Sequence, residues 1–349
     1  MSRAIVSVGE ESTNLFREAA QAADTVRAQL ERNSQQVRKL GETLRALGPR
    51  AVVTCARGSS DHASTFAKYL IETRLGVLTS SAAPSVNSLY AAKPDLRGTL
   101  LLAISQSGAS PDLLAAVAAA RAAGSLVVAL VNAENSPLAR AADHAIPLCA
   151  GPERSVAATK SYIGSLAAIV HLAACWGRDT DLEEALHAAP AQLEQAWRLD
   201  WQSAVTPLRA ANDLYVVGRG MGLGIAQEAA LKLKETCGLH AEALSAAELR
   251  HGPMALVRAG FPVLIFAQRD VTISGVEDLA TELAARGAQI LLAGANAPNA
   301  MVLPTREAHP VIEPMLMIQS FYRLVNALAL ARGHDPDNPP HLRKVTETV

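Results

Sequence analysis

The sequence predicts an α/β protein made of two similar parallel-sheet units in tandem, each a sheet flanked by helices. Three observations predict it. Strand-length apolar runs alternate with helical stretches, the order expected of βαβ units. The alternation lapses near residues 180–210 and then begins again. The two halves also echo each other: VVTCARGSS followed by KYLIET in the first, LYVVGRGMG followed by LKLKET in the second, the trace of an internal duplication. Arg57-Gly58 pairs with Arg219-Gly220, and Glu72-Thr73 with Glu235-Thr236. The chain divides into a helical lead-in over 1–48, a first unit over 49–180, a second over 205–332 and an extended tail over 333–349.

The lead-in is polar and helical from Ser12 to Gln36 and stops at Gly48-Pro49, a pair that ends helices. AVVTCAR (51–57) reads as a strand, Asp61 to Glu72 as a helix, TLLLAIS (99–105) as a strand, Pro111 to Ala123 as a helix and LVVALV (126–131) as a strand. These strands are unbroken apolar runs, as expected where helices cover both sheet faces. Parallel strands joined this way cross over right-handedly. Ile163 to Trp176 is the longest apolar stretch; it is too short to span a membrane and suits a buried helix, with His171 a packed or capped histidine inside it. A helical linker covers 180–210. The second unit repeats the scheme: DLYVVGR (213–219) as a strand, 225–237 as a helix, FPVLIFA (261–267) as a strand, Val276 to Arg286 as a helix and AQILLAG (288–294) as a strand.

Composition narrows the function. The chain has 349 residues, 50% hydrophobic and 19% charged, which suits a globular protein with large buried cores. Its 32 basic and 33 acidic residues give a net charge of −1, so no basic field exists to hold nucleic acid by its phosphates. Cys55, Cys149, Cys175 and Cys237 are scattered without metal-ligand spacing and read as reduced thiols. No signal-peptide pattern opens the chain, and a cytoplasmic location is expected.

Four segments carry chemistry. Ser105-Gln106-Ser107-Gly108-Ala109-Ser110 follows a strand and leads into a helix, with Ser110 placed as N-cap and Pro111 as first helical residue. Hydroxyls and an amide around a helix N-terminus make a neutral cradle for a phosphate monoester; an ordinary strand-to-helix turn has the same residues. Arg57-Gly58-Ser59-Ser60-Asp61 is a second hydroxyl-rich turn of this type. The loop Gly151 to Lys160, GPERSVAATK, suits a sugar-facing loop or a plain surface loop. The fourth segment, 218–253, joins a glycine-rich turn to a helix on which Glu228, Lys232 and Glu235 share one face. Ala226, Ala229, Ala230, Leu233 and Cys237 share the other, the division shown by any surface helix. His240, Glu242, Glu248 and His251 follow in quick succession. Neither the lysine and spacing of a P-loop nor the glycine spacing of a dinucleotide fingerprint is present. A phosphate cradle, carboxylate, lysine and histidine, with no metal cluster and no cofactor motif, suit proton transfer on a phosphorylated sugar, with lysine also able to form an imine.

SQSGAS, the GPE…VAATK loop and EAALKLKETCGLHAEALSAAELRHGP together resemble the tandem sugar-isomerase (SIS) domains of glucosamine-6-phosphate synthase, over residues 45–349. The synthase's glutaminase half has no counterpart here, and the chain is most like the stand-alone SIS-type glucosamine-6-phosphate deaminases. The resemblance implies two flavodoxin-like three-layer sandwiches. It implies that Ser105, Gln106, Ser107 and Ser110 hold the phosphate, with Ser59 and Ser60 nearby, and that Val156 and Ala158 line the sugar. It further implies Glu235 as the base between C1 and C2, with Lys232 beside it and Glu228 on the same face. His251 would assist ring opening from the neighbouring subunit, which makes the protein a homodimer. Lys344 would match the lysine that forms an imine with the open sugar, although here it follows Pro339-Pro340-His341-Leu342-Arg343 where the synthase has Pro-Arg-Asn-Leu-Ala. The implied activity is conversion of D-glucosamine 6-phosphate to D-fructose 6-phosphate and ammonia. Deglycation of fructosamine 6-phosphates and plain aldose–ketose isomerisation read alike in the sugar-facing loops. A non-catalytic sugar-phosphate sensor is the expectation from another class; residues 1–48 lack the helix-turn-helix that such regulators usually carry.

Overall fold

The chain folds into two five-stranded parallel sheets of one topology. The computed structural model describes residues 9–90 and 92–344. A short helix, α1 (Asn14–Ala19), and a long one, α2 (Ala22–Leu47), lead in. The lead-in is therefore broken at Gln21, whose backbone (φ −85, ψ 2) leaves the helical region. The first sheet comprises β1 (Ala51–Cys55), β2 (Thr79–Ser81), β3 (Thr99–Ser105), β4 (Leu126–Val131) and β5 (His144–Pro147). Between its strands lie α3 (Ser59–Leu75), α4 (Ser85–Ser88), α5 (Pro111–Ala122) and α6 (Pro137–Ala141). The buried α7 (Lys160–Gly177) then leads into the linker helices α8 (Thr180–Trp197) and α9 (Val205–Arg209). The second sheet comprises β6 (Asp213–Gly218), β7 (His240–Ser245), β8 (Pro262–Phe266), β9 (Gln289–Ala293) and β10 (Met301–Leu303), with α10 (Gly222–Cys237), α11 (Ile273–Ala285) and α12 (Glu313–Ala331).

The strand orders are β2-β1-β3-β4-β5 and β10-β9-β8-β6-β7. Renumbered within its own unit, and read from its other edge, the second is the first repeated. Both are the doubly wound order whose switch point, between its first and third strands, is where open sheets take ligands. The central strands are apolar throughout because helices cover both faces: every residue of β3 and β8 is buried.

The edge strands β2, β5, β7 and β10 escape the sequence pattern. Each is short or polar, and β7 alternates histidine and glutamate with alanine. Two predicted helices start earlier than expected. Helix α3 begins at Ser59, so both serines of its turn belong to the first helical turn. Helix α10 begins at Gly222, within the presumed glycine turn. Those glycines are packing residues: a Cβ on Gly218 would strike the backbone of Gly222, and one on Gly224 would stand 2.8 Å from the His62 carbonyl of α3. The two units thus meet where α3 crosses α10. The expected packing of His171 holds: it is buried in α7, and burial pushes its imidazole down to about 4. Among the described residues, no helix is long and apolar enough to cross a membrane.

Candidate functional site

The C-terminal ends of β1 and β3 lie side by side at the first sheet's switch point, and a cavity of about 370 Å3 opens there. From β1 and α3 it is lined by Ser59 and Ser60; from the β3–α5 loop by Ser105, Gln106, Ser107 and Ser110. The loop's shape is set locally. Ser105 Oγ accepts from Gly108 N at 2.9 Å. Gly108 sits at φ +62 against the Ser136 side chain, a place and a conformation that admit no Cβ. Ser110 is the N-cap of α5 and Pro111 its first residue, as expected, but the Ser110 hydroxyl makes no capping bond. It lines the cavity instead. Two helix N-termini, of α3 and α5, converge on this wall and favour an anion there.

The cradle also holds an ion pair beside the hydroxyls expected there. Arg57 also lines it. Its Nε and Nη2 lie 2.8 and 2.7 Å from Oδ2 of Asp112, whose side chain is 1% exposed. A basic residue at the end of β1 was visible in the sequence as such; that it belongs to the cavity follows only from its pairing with the first turn of α5.

The opposite wall comes from the second unit. Lys232 and Glu235 of α10 line it. The charged stripe of this helix is not a solvated face: Glu228 is 0% and Lys232 1% exposed, and the alanine-rich face opposite is buried as well. The helix is wrapped by α3, α12 and its own sheet, so its charges survive burial only by pairing. Lys232 Nζ lies 2.5 Å from Glu235 Oε2 and 3.5 Å from Glu228 Oε1. Burial alone would lower the Lys232 ammonium, but the two carboxylates outweigh it and hold it above its ordinary value. Glu228 stands behind the cavity wall. Its Oε1 also accepts from Ser59 Oγ at 3.1 Å and from the Tyr322 hydroxyl at 3.4 Å, and its Oε2 meets His62 Nδ1 at 3.1 Å. Burial, with Glu228 adding to it, holds the Tyr322 phenol well above its usual range, so it remains a neutral donor.

The loop 151–160 and the tail close the third side. Val156, Ala158, Leu342 and Lys344 line the cavity. The loop is ordered by two carboxylates that the sequence reading passed over. Glu153, whose side chain is wholly buried, accepts from Thr159 N and Ser161 N, each at 3.1 Å, and from Ser161 Oγ at 2.6 Å. Glu18 of α1 accepts from Arg154 N at 2.5 Å and Ser155 N at 3.0 Å, so the lead-in shapes the site from behind. Lys344 is docked: its Nζ donates to Ser155 O at 2.6 Å and lies 3.5 Å from Glu153 Oε2.

His251 is an expected site residue that this cavity does not include. It ends a short 3-10 turn (Glu248–His251), is exposed and does not line the cavity. The histidines and acids after α10 therefore do not form one cluster: His240 and Glu242 lie in the edge strand β7. Among the described residues, no group of three or more histidines, cysteines or acids could hold a metal ion.

Comparison with known proteins agrees with this construction. The SIS domain model matches residues 48–174 and 207–319, one match per sheet. The glutamine–fructose-6-phosphate aminotransferase (isomerizing) of Aeropyrum pernix is 35% identical over 326 residues, which cover 86% of this chain and 52% of that protein. The chain thus spans about half the length of the curated relatives it matches. Among solved structures, a candidate phosphosugar isomerase from Silicibacter pomeroyi superposes with a TM-score of 0.89 at 42% identity, covering 93% of this chain and all of that one. The C-terminal domain of the glucosamine-fructose-6-phosphate aminotransferase from Francisella tularensis superposes with a TM-score of 0.84 at 25% identity, covering 97% of this chain and 100% of that one. With both units matched and the duplicated topology in place, the chain belongs to the SIS domain family.

Proposed function

We propose that the chain is an amino-sugar-phosphate deaminase that converts D-glucosamine 6-phosphate and water to D-fructose 6-phosphate and ammonia. The observation that carries this reading is the placement of an anion cradle on one wall of the cavity and the Glu235–Lys232 pair on the wall facing it. The cradle serines, Gln106 and the α3 and α5 N-termini hold the phosphate. Val156 and Ala158 flank the sugar chain. Glu235, partly open to the cavity, removes the proton at C2 of the open-chain aldose and returns it at C1. With one proton passed from nitrogen to the C1 oxygen, the double bond then lies between C2 and nitrogen, and water cleaves that imine to the ketone and ammonia. Lys232 stabilises the charge on Glu235 and on the enol oxygen. Lys344 supplies an amine for transient imine formation with the sugar carbonyl, with Glu153 in reach to take the proton it must lose. His251, exposed and not among the residues lining its own cavity, opens the sugar ring in the cavity of a second copy, so the active form is a homodimer.

The test is ammonia release by the purified protein from D-glucosamine 6-phosphate, read alongside binding by thermal shift. Ammonia and fructose 6-phosphate in equal amounts are expected. Binding without ammonia would overturn the reading: interconversion of aldose and ketose phosphates would then identify an isomerase, release from fructosamine 6-phosphates a deglycase, and binding without any turnover a sensor.

A further inference from the structure

Glu228 joins two cavities. The first is the sugar-phosphate cavity, reached through Ser59, Lys232 and Glu235. The second lies across α10, is about 470 Å3, and is lined by His62, Gln227, Lys234, His240 and Glu242. The helix itself separates them: positions 227, 230 and 234 face the second cavity, and 232 and 235 the first. Among the described residues, His62 both lines the second cavity and touches the buried cluster: it is 20% exposed, with its Nδ1 3.1 Å from Glu228 Oε2.

We propose that His62 is a positioning residue that couples the Glu228–Lys232–Glu235 cluster to this second cavity, so that the cluster exchanges its proton with water without passing through the sugar site. The use of the relay rests on the deamination reading; its geometry does not. The sugar side is bordered by Leu342 and Lys344 of the docked tail, and bound substrate would stand between Glu235 and solvent there. On the other side each link is a polar contact: Glu235 to Lys232 at 2.5 Å, Lys232 to Glu228 at 3.5 Å, Glu228 to His62 at 3.1 Å. Lys232 gives a proton to Glu228 and takes the one on Glu235. Glu228 passes its proton to Nδ1 of the imidazole, which releases one from its other nitrogen to water. One proton leaves to water and, in the reverse shift, one enters from water and reaches Glu235 for delivery at C1, so the proton count is kept, every group returns to its starting form, and nothing is oxidised or reduced.

The charged and titratable groups around His62 are Asp61 on its own helix, Glu228, Lys232 and Lys234 on α10, His240 and Glu242 on β7, and the phenols of Tyr162 and Tyr322 behind Glu228.

Two readouts on the full chain test the proposal. The first is NMR of histidine-labelled protein, with His62→Gln assigning the signal. In Glu228→Gln, which removes the 3.1 Å carboxylate contact, the ring-nitrogen signals of His62 are expected to move, and in Glu235→Gln to move less. Unmoved His62 signals in Glu228→Gln overturn the coupling whether or not the protein turns over. The second is turnover of substrate deuterated at C2. With the relay cut in His62→Gln, deuterium retained at C1 of the product is expected to rise about twofold or more at unchanged KM, with a shifted pH profile of kcat. Unchanged retention and profile overturn the relay. Absence of ammonia from the wild type with the NMR shift intact refutes the deamination reading and leaves the coupling standing.

Discussion

Lys232 and Glu235 sit one turn apart on α10 as a 2.5 Å ion pair in which the lysine is 1% exposed and the glutamate 19%. The cation is locked in the protein and the carboxylate reaches the cavity, the division of labour a base needs when negative charge develops beside it. Replacing Glu235 with glutamine keeps the shape and removes the proton acceptor. General base catalysis contributes about 10²- to 10⁴-fold, so kcat for ammonia release should fall by that range in Glu235→Gln while KM and phosphate-dependent binding change little. Steady-state kinetics with an ammonia-coupled assay decides it; wild-type turnover would remove Glu235 from the mechanism.

Removing the cation has the opposite profile. In Lys232→Met, Glu228 and Glu235 face each other with no ammonium between them, and Glu228 is wholly buried. Breaking a buried pair this way costs about 3–5 kcal/mol, seen as a lower urea midpoint at neutral pH. The pH dependence has a definite sign. Because the folded-state value of Lys232 lies above its ordinary 10.5, its contribution is whole below pH 10.5 and is lost only as the pH rises through the folded value. Wild type and variant should therefore differ by a constant amount from neutral pH up to that limit.

Lys344 offers a chemical test. Its ammonium is fixed by Ser155 O and Glu153, at the edge of the cavity that holds the sugar carbonyl in the proposed reaction. Borohydride added during turnover should reduce a lysine–sugar imine to a stable adduct, found by mass spectrometry on the peptide that contains Lys344. Lys344→Met should abolish the adduct, and Glu153→Gln should weaken it while loosening the loop. An adduct elsewhere, or none with full activity in Lys344→Met, would return Lys344 to the role of a tail clamp.

The fold and most of the cavity were legible because their signals are local. Apolar strands, the repeated Arg-Gly turn and Ser110-Pro111 are written in neighbouring residues, and they place the cradle at a strand end without further information. What stayed hidden depends on contacts distant in sequence. The stripe of α10 looks like a solvated face until α3 and α12 cover it. Glu18 and Glu153 order the loop 151–160 from positions where an acid usually faces water. His62 and Tyr322 lie 166 and 94 residues from Glu228, and no pattern ties them to it. The glycines of 218–224 were read by their freedom to turn, whereas the structure uses their small size.

His171 predicts an acid sensitivity with a known direction. Burial lowers its folded value to about 4 from 6.5. Between those limits the unfolded chain binds a proton that the folded chain refuses, so acidification from pH 6.5 to 4 drains stability, and below about 4 the loss levels off. The full effect is about 3 kcal/mol. His171→Gln removes the titration, and its urea midpoint should decline less steeply over that window than the wild type's. Parallel declines would mean that His171 takes up its proton in the folded state.

The crossing of α3 and α10 links stability to chemistry through one atom. An alanine Cβ at Gly224 would lie 2.8 Å from the His62 carbonyl and 3.1 Å from Phe66 N, both backbone atoms of α3 that cannot step aside alone. The helices must separate, at a cost of about 1–3 kcal/mol for an overpacked core. The separation also moves Lys232 and Glu235 away from the wall that carries Ser59 and Ser60, and a misplacement of about 1 Å costs on the order of 10² in rate. Gly224→Ala should therefore lose kcat out of proportion to its loss of stability, while phosphate binding, which needs only the first unit, holds. Gly275 of α11 is the control: it is exposed with nothing within 4 Å of a Cβ, so Gly275→Ala should stabilise by up to about 1 kcal/mol and leave kcat alone. Equal kcat in the two variants would show that the α3–α10 spacing does not set the distance between cradle and base.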